Sequence, residues 1–253
     1  QNQNRAAILS IYFIGQTGGS ASGVAMVGLP DPSGGLLFAI TSILVSICLV
    51  PMLITRVKAP EYSAPDRLSI RTLIGISPMA VSGAVLNGMA QVALFVGLPL
   101  YGLARGMSDG QAASLLVIVT LSGAICQFPI GWLSDRMDRR LVVAGASLIG
   151  AGFFALLAVG PTGIWLYAAL AGMAAVTFPI YSLCVAHAND RLQPNQIVPA
   201  SGTLVMALNV GSLIGALLGP AAIRMFGASG FMIFMAGIAL TTFGIAWLRT
   251  SRR

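Results

Sequence analysis

Repeated apolar runs of about twenty residues, separated by short polar turns, limit what this chain can fold into more than any motif it carries. The runs cover 6–28, 35–54, 73–100, 111–130, 141–159, 163–186, 198–222 and 231–248. A helix of about 20 apolar residues crosses the ~30 Å hydrocarbon core of a bilayer. Inside that core only a helix or a closed barrel pairs all its backbone polar groups. The expected fold class is therefore an all-α polytopic membrane protein with eight transmembrane helices. Charge agrees. Only 8% of the residues are charged, against about 25% in a soluble domain, too few to cover a water-facing surface. Breaks fall where helices stop: Pro30, Asp31 and Pro32; Gly160 and Pro161; Pro194; Gly227 and Gly230.

The basic residues are not scattered. Of 14 Lys and Arg, all but Arg105 and Arg224 fall on one side of the alternating spans. Positive charge stays in the cytoplasm, so both ends of the chain are expected there. The same placement in turns makes the net charge of +7 a topology signal, and no nucleic-acid partner is expected. Charge is densest in GWLSDRMDRR, residues 131–140, which holds Asp135, Arg136, Asp138, Arg139 and Arg140. This stretch reads as a tight cytoplasmic turn, with Gly131 at a helix end. Paired acids and arginines there can form a network that holds helix ends together. Such a network favours one conformation only if the pairs separate in another.

The same ten residues resemble the signature loop of major facilitator superfamily transporters, G-x-L-x-D-R-x-G-R-R. Gly131, Leu133, Asp135, Arg136, Arg139 and Arg140 match, and Asp138 stands where the family has Gly. FIGQTGGS (13–20), LNGMAQVALFVGLPLYG (86–102), QFPIGWLSDRMDRR (127–140) and FPIYSLCVAHANDRL (178–192) are similar to an uncharacterised bacterial inner-membrane branch of that superfamily. The resemblance implies twelve helices in two halves, with the signature after the second helix of a half. The chain would then hold helices 5–12 of 12, as a fragment of a longer protein. Residues 1–56 would be helices 5 and 6 of the N-terminal half. Residues 57–71 would be the central cytoplasmic loop, and 72–253 the C-terminal six-helix half. The implied function is secondary active transport of a small solute by alternating access, in a bacterial inner membrane, as a lipid-surrounded monomer. Two alternatives stand beside it: a drug or lipid exporter of the same fold, and a non-transporting membrane scaffold or sensor.

The resemblance makes Gly131, Asp135, Arg136, Arg139 and Arg140 the conformational-switch motif. It places the signature acid, here Asp135, near the cytoplasmic end of helix 5, around residues 3–7, where a helix N-terminus attracts a carboxylate. The alternative is a local bridge from Asp135 to Arg136 or Arg139. Polar residues inside spans are the substrate-cavity candidates. Asn87 and Gln91 lie four apart on one helix face, as do Thr177 and Tyr181. Asn209, Gln16 and Gln127 sit in other spans. Each could instead be interhelical glue. His187, Asp190 and Arg191 follow a span and are cytoplasmic-gate candidates.

Other chemistry finds little footing. His187 is the one histidine, so a zinc site has no second ligand of its kind, and no metal is expected. Cys48, Cys126 and Cys184 lie in apolar runs without CxxC spacing and read as small buried hydrophobes. No phosphate-binding loop, H-E-x-x-H or G-x-S-x-G occurs, so neither an enzyme nor a cofactor is expected. No Asp, Glu, Lys or Arg lies at mid-span. Either a coupling proton uses a titratable group from elsewhere, or transport is uniport or otherwise coupled. Gly18, Gly19 and Gly23, and Gly211, Gly215 and Gly219, read as surfaces for close helix contact, sliding or static.

Overall fold

The computed structural model describes residues 35–54 and 68–250, with isolated positions 19, 22, 23 and 26. The helices, in order, are α1 (Gly35–Ile54), α2 (Ile70–Ile76), α3 (Pro78–Ala104), α4 (Asp109–Arg136), α5 (Arg139–Val159), α6 (Ile164–Thr177), α7 (Ile180–Asn189) and α8 (Ile197–Thr250). A 3₁₀ turn, Pro194–Gln196, leads into α8.

Local chemistry sets the boundaries. The Ser69 side chain caps α2 by accepting from the Arg71 N–H. Ser77 leaves helical geometry and Pro78 restarts the helix at a position where a missing N–H costs nothing. Ser108 and Gln111 form a capping box at the start of α4. Gly160 ends α5 in the left-handed region at φ 86°. Phe178 and Pro179 separate α6 from α7.

The expectation of eight transmembrane helices is overturned. Among the described residues, five helices are long and apolar enough to cross a membrane: Pro78–Ala104, Asp109–Arg136, Arg139–Val159, Ile164–Asn189 and Pro194–Thr250. Three causes account for the difference. The run at 6–28 lies outside the described residues apart from isolated positions. In α1 the apolar helix Gly35–Val50 falls in a shorter class. The runs 198–222 and 231–248 are joined without a loop in one 54-residue helical element.

That element cannot be straight. At 1.5 Å per residue it would reach about 80 Å, well over twice the ~30 Å core. Gly227 is the residue inside it with non-helical geometry, φ 71° and ψ −171°. The neighbours on α3 show what the break does. On the first arm Gly211, Gly215 and Gly219 meet Val85, Met89 and Ala93, so this arm runs parallel to α3. On the second arm Phe231 meets Gly97, and Thr242 and Ile245 share a pocket with Met79 and Ser82, so it runs antiparallel. Gly227 therefore reverses the chain, and α3 lies against both arms.

Contact with the first arm is backbone on backbone. A Cβ added at Gly211 or Gly215 would overlap the carbonyl oxygen of Val85 or Met89. Close approach of this kind is how helices gain packing energy where the surrounding medium is itself apolar. At Gly19, Gly23 and Gly131, by contrast, nothing among the described residues lies within 4 Å of such a Cβ. Two apolar clusters fill the bundle. One gathers Leu98, Tyr101, Phe154, Met173 and Phe231. The other gathers Leu73, Val143, Leu183, Cys184 and Leu204. Outside them, Phe128 is 80% and Val159 86% exposed, a surface suited to lipid rather than water. The cysteines divide accordingly. Only Cys184 is buried; Cys126 is half-buried and Cys48 exposed, against the expectation of three buried thiols.

Candidate functional site

The signature stretch is mostly helix. Residues 131–136 complete α4, Met137 and Asp138 make the link, and Arg139 and Arg140 open α5. The turn is thus two residues long. Asp138, at the departure from the family pattern, has a structural job: its carboxylate accepts the Arg140 N–H at 3.0 Å and caps α5. Such a cap is worth about 1 kcal/mol.

Arg139 is the hub. Its Nη2 lies 3.0 Å from Asp135 Oδ1, and its Nε donates to Asp190 Oδ2 at 2.7 Å. Nη1 also reaches Ser134 Oγ at 3.4 Å. One guanidinium so ties the end of α4, the start of α5 and the end of α7. Arg139 is mostly shielded, with 22% of its side chain exposed, while Asp135 and Asp190 are at 67% and 54%. Exposure of the acids keeps each pair near 1 kcal/mol or below.

The other charged residues divide. Arg140 is buried and donates through Nη1 to the carbonyl of Arg249, closing the end of the second α8 arm onto α5. Arg136 lies 3.7 Å over the Trp132 ring. His187 and Arg191 line the same polar cleft as Ser134, Asp135, Asp138, Arg139, Arg140 and Asp190. Two groups of sequence candidates, the switch motif and the gate, thus share one site. His187 is buried and its Nε2 has no hydrogen-bond partner among the described residues. The local alternative for Asp135, a bridge to Arg139, is present. Residues 3–7, its other expected partner, lie outside the described residues.

A second, narrower cleft lies deeper. Asn87 and Gln91 of α3, Thr177 at the end of α6, Phe178 and Met235 line it. The Asn87 Nδ2 donates to the Thr177 carbonyl at 3.3 Å. Its Oδ1 is buried without a partner among the described residues. The Thr177 hydroxyl is turned back to the Met173 carbonyl at 2.8 Å. The space left is about that of one water. Tyr181 packs with the other apolar cluster instead, and Asn209 is exposed on the outside of the first α8 arm. Gln127 is half-buried on α4, and Gln16 is outside the described residues.

A model of the Major Facilitator Superfamily matches residues 80–253. The chain belongs to that superfamily. Among curated superfamily proteins, an uncharacterised transporter-type protein of Yersinia enterocolitica, YE1530, is 24% identical over 94% of this chain and 62% of its own length. YcaD of Salmonella enteritidis, also uncharacterised, is 25% identical over 85% of this chain and 56% of its own. The chain thus spans less than two thirds of the relatives it matches. Among solved structures, the E. coli fucose:proton symporter FucP superposes with a TM-score of 0.63 at 20% identity, covering 93% of this chain and 65% of that one. FucP in an outward conformation gives 0.59 at 21% identity, covering 84% and 53%. These likenesses carry the superfamily fold, that of a multi-pass membrane protein.

Within this superfamily member, one polar cluster escaped the sequence reading. Arg105, at the opposite end of α3 from the signature stretch, donates to the Tyr101 hydroxyl at 2.8 Å and to the carbonyls of Gly160 and Pro161 at 2.9 and 2.8 Å. The Tyr101 hydroxyl in turn donates to the Leu157 carbonyl at 3.1 Å. A cation suits the unpaired carbonyls at a helix C-terminus. The only local signal in the sequence is the Tyr101–Arg105 spacing of four, since the Gly160-Pro161 break that Arg105 reaches lies 55 residues further on.

Proposed function

We propose that this chain is part of a secondary active transporter that moves a small solute across a bacterial inner membrane by alternating access. The observation that carries the reading is the Arg139 hub, with Asp135 on α4 and Asp190 on α7 sharing one cation. In this reading the hub is the part of the switch that opens when the signature end of the bundle opens. Gly131, Arg136 and Arg140 belong to the same element, and His187 and Arg191 to its gate. Asn87, Gln91 and Thr177 contact the solute when their cleft widens. Residues 72–253 act as one body against the N-terminal part, with 57–71 as the connection. Both ends of the chain lie on the cytoplasmic side. The coupling ion is a proton, as the name of the fucose:proton symporter suggests. The apolar spans within residues 68–250 hold no carboxylate at mid-depth to accept it.

The test is reconstitution of the full-length protein in liposomes. Uptake of a solute panel is followed with and without a proton gradient, for the parent and for Asp135→Asn. Gradient-driven accumulation that falls in the variant supports the reading. No uptake of any solute, together with identical cysteine accessibility on both faces in parent and variant, would replace it with a membrane scaffold.

A further inference from the structure

A groove of about 580 Å³ opens between α2, α3 and the second arm of α8, at the signature end of the bundle. Ile74, Pro78, Val81, Val85 and Ile245 wall it, and Arg249 stands at its end. Two hydroxyls in the wall are already used. Ser82 Oγ donates to the Pro78 carbonyl at 2.9 Å, and Thr241 Oγ1 to the Gly237 carbonyl at 2.8 Å. The groove therefore asks for no hydrogen bond along its length. Its only charged lining residue among those described is Arg249, which is exposed, and its carbonyl is held by Arg140. Exposed Arg71 lies three residues before Ile74 on α2, so both share one face of that helix. The groove is apolar inside and cationic at the mouth.

We propose that this groove binds one anionic phospholipid, with an acyl chain along α3 and the headgroup phosphate between Arg249 and Arg71. Length agrees with the assignment. From Pro78 to Leu86 α3 rises about 12 Å, close to the ~15 Å of hydrocarbon in one leaflet. Charge selects the headgroup, because a basic residue near the surface favours an anionic lipid by an amount equal to about fivefold in affinity. The seated lipid fills the space between α3 and the end of the second arm. The site does not depend on which solute is carried.

Native mass spectrometry of the full-length protein tests it, with dioleoyl phosphatidylglycerol and dioleoyl phosphatidylcholine as probes. Phosphatidylglycerol is expected to be held more tightly, and Arg249→Gln and Arg71→Gln each to reduce that preference about fivefold. Arg224→Gln, at the far end of the bundle, is expected to leave it unchanged. Thr241→Phe is expected to weaken both lipids by occupying the groove. Equal retention of the two lipids by the parent would overturn the proposal. So would a preference that survives both arginine variants, or displacement of the lipid by soluble glycerol phosphate. Retention unaffected by Thr241→Phe would also overturn it, and would assign the groove to a segment of the chain itself.

Discussion

Asp190, the C-cap of α7, accepts a 2.7 Å bond from Arg139 in the first turn of α5, fifty-one residues away in sequence. Asp135 holds the other side of the same guanidinium. Because both acids are exposed, the hub contributes little to stability. It can separate at small cost, as a switch requires. Arg139→Gln is therefore expected to lower unfolding free energy by no more than about 1–2 kcal/mol. Solute uptake should fall at least about tenfold, an effect of similar energy concentrated on one step of the cycle. A thermal shift measured beside liposome uptake separates the two. Loss of stability in proportion to loss of uptake would make Arg139 a structural residue only.

Asp138 caps α5, and capping has its own substitution pattern. Asp138→Ala should cost about 1 kcal/mol, whereas Asp138→Asn and Asp138→Gly should cost a few tenths. Hydrogen exchange at the first turn of α5 reads this directly. Equal protection in the alanine and asparagine variants would remove the cap from the account.

Arg105 leaves two carbonyls and the Tyr101 hydroxyl without their donor if it is replaced. Arg105→Leu is expected to destabilise the protein by about 1 kcal/mol, the low end of the range for groups deprived of a partner, because the two carbonyls are only half-buried. Tyr101→Phe removes the Leu157 bond as well, and the two changes should be non-additive because they share one network. A double-mutant cycle by thermal unfolding decides it; strictly additive losses would mean that the two side chains act apart.

Glycine-to-alanine substitution in a helix normally stabilises it by up to about 1 kcal/mol. At Gly211 and Gly215 the sign should reverse, with losses of about 1–3 kcal/mol from overpacking against the α3 backbone. Gly237→Ala on the second arm, where nothing among the described residues lies within 4 Å of the added carbon, should follow the normal rule. Melting of the three variants side by side is sufficient. Gain of stability at Gly211 and Gly215 would show a looser contact that can slide.

What could be read beforehand follows from what hydropathy measures. It located α1, and the end of α5 at Gly160, because solvent changes at those points. It stopped α4 at residue 130, although the helix continues to Arg136, since a helix leaving the bilayer still pairs its own backbone. It read Gly227 as part of a loop, where one residue with positive φ does the work of several. The side-chain candidates sorted by helix continuity. Asn87 and Gln91 reach one cleft because α3 is unbroken between them. Thr177 and Tyr181 do not share it: Thr177 lines the cleft, whereas Tyr181 packs with the second apolar cluster. Asn209 faces outward because its arm turns Gly211 and Gly215 towards α3, and residues two apart point to opposite sides. No periodicity could place Asp190 beside Arg139, since that pairing depends on how α5 and α7 meet.

The reversal at Gly227 leaves no spare length between the two arms of α8. An extra residue within either arm would rotate everything beyond it by about 100°. The row that meets α3 would then face the membrane, and a row now in lipid would face α3. A stretch that looks like the safest place in the sequence for an insertion is thus the one where a single added residue would scramble two helix interfaces. Epitope tags and reporter domains belong elsewhere on this chain.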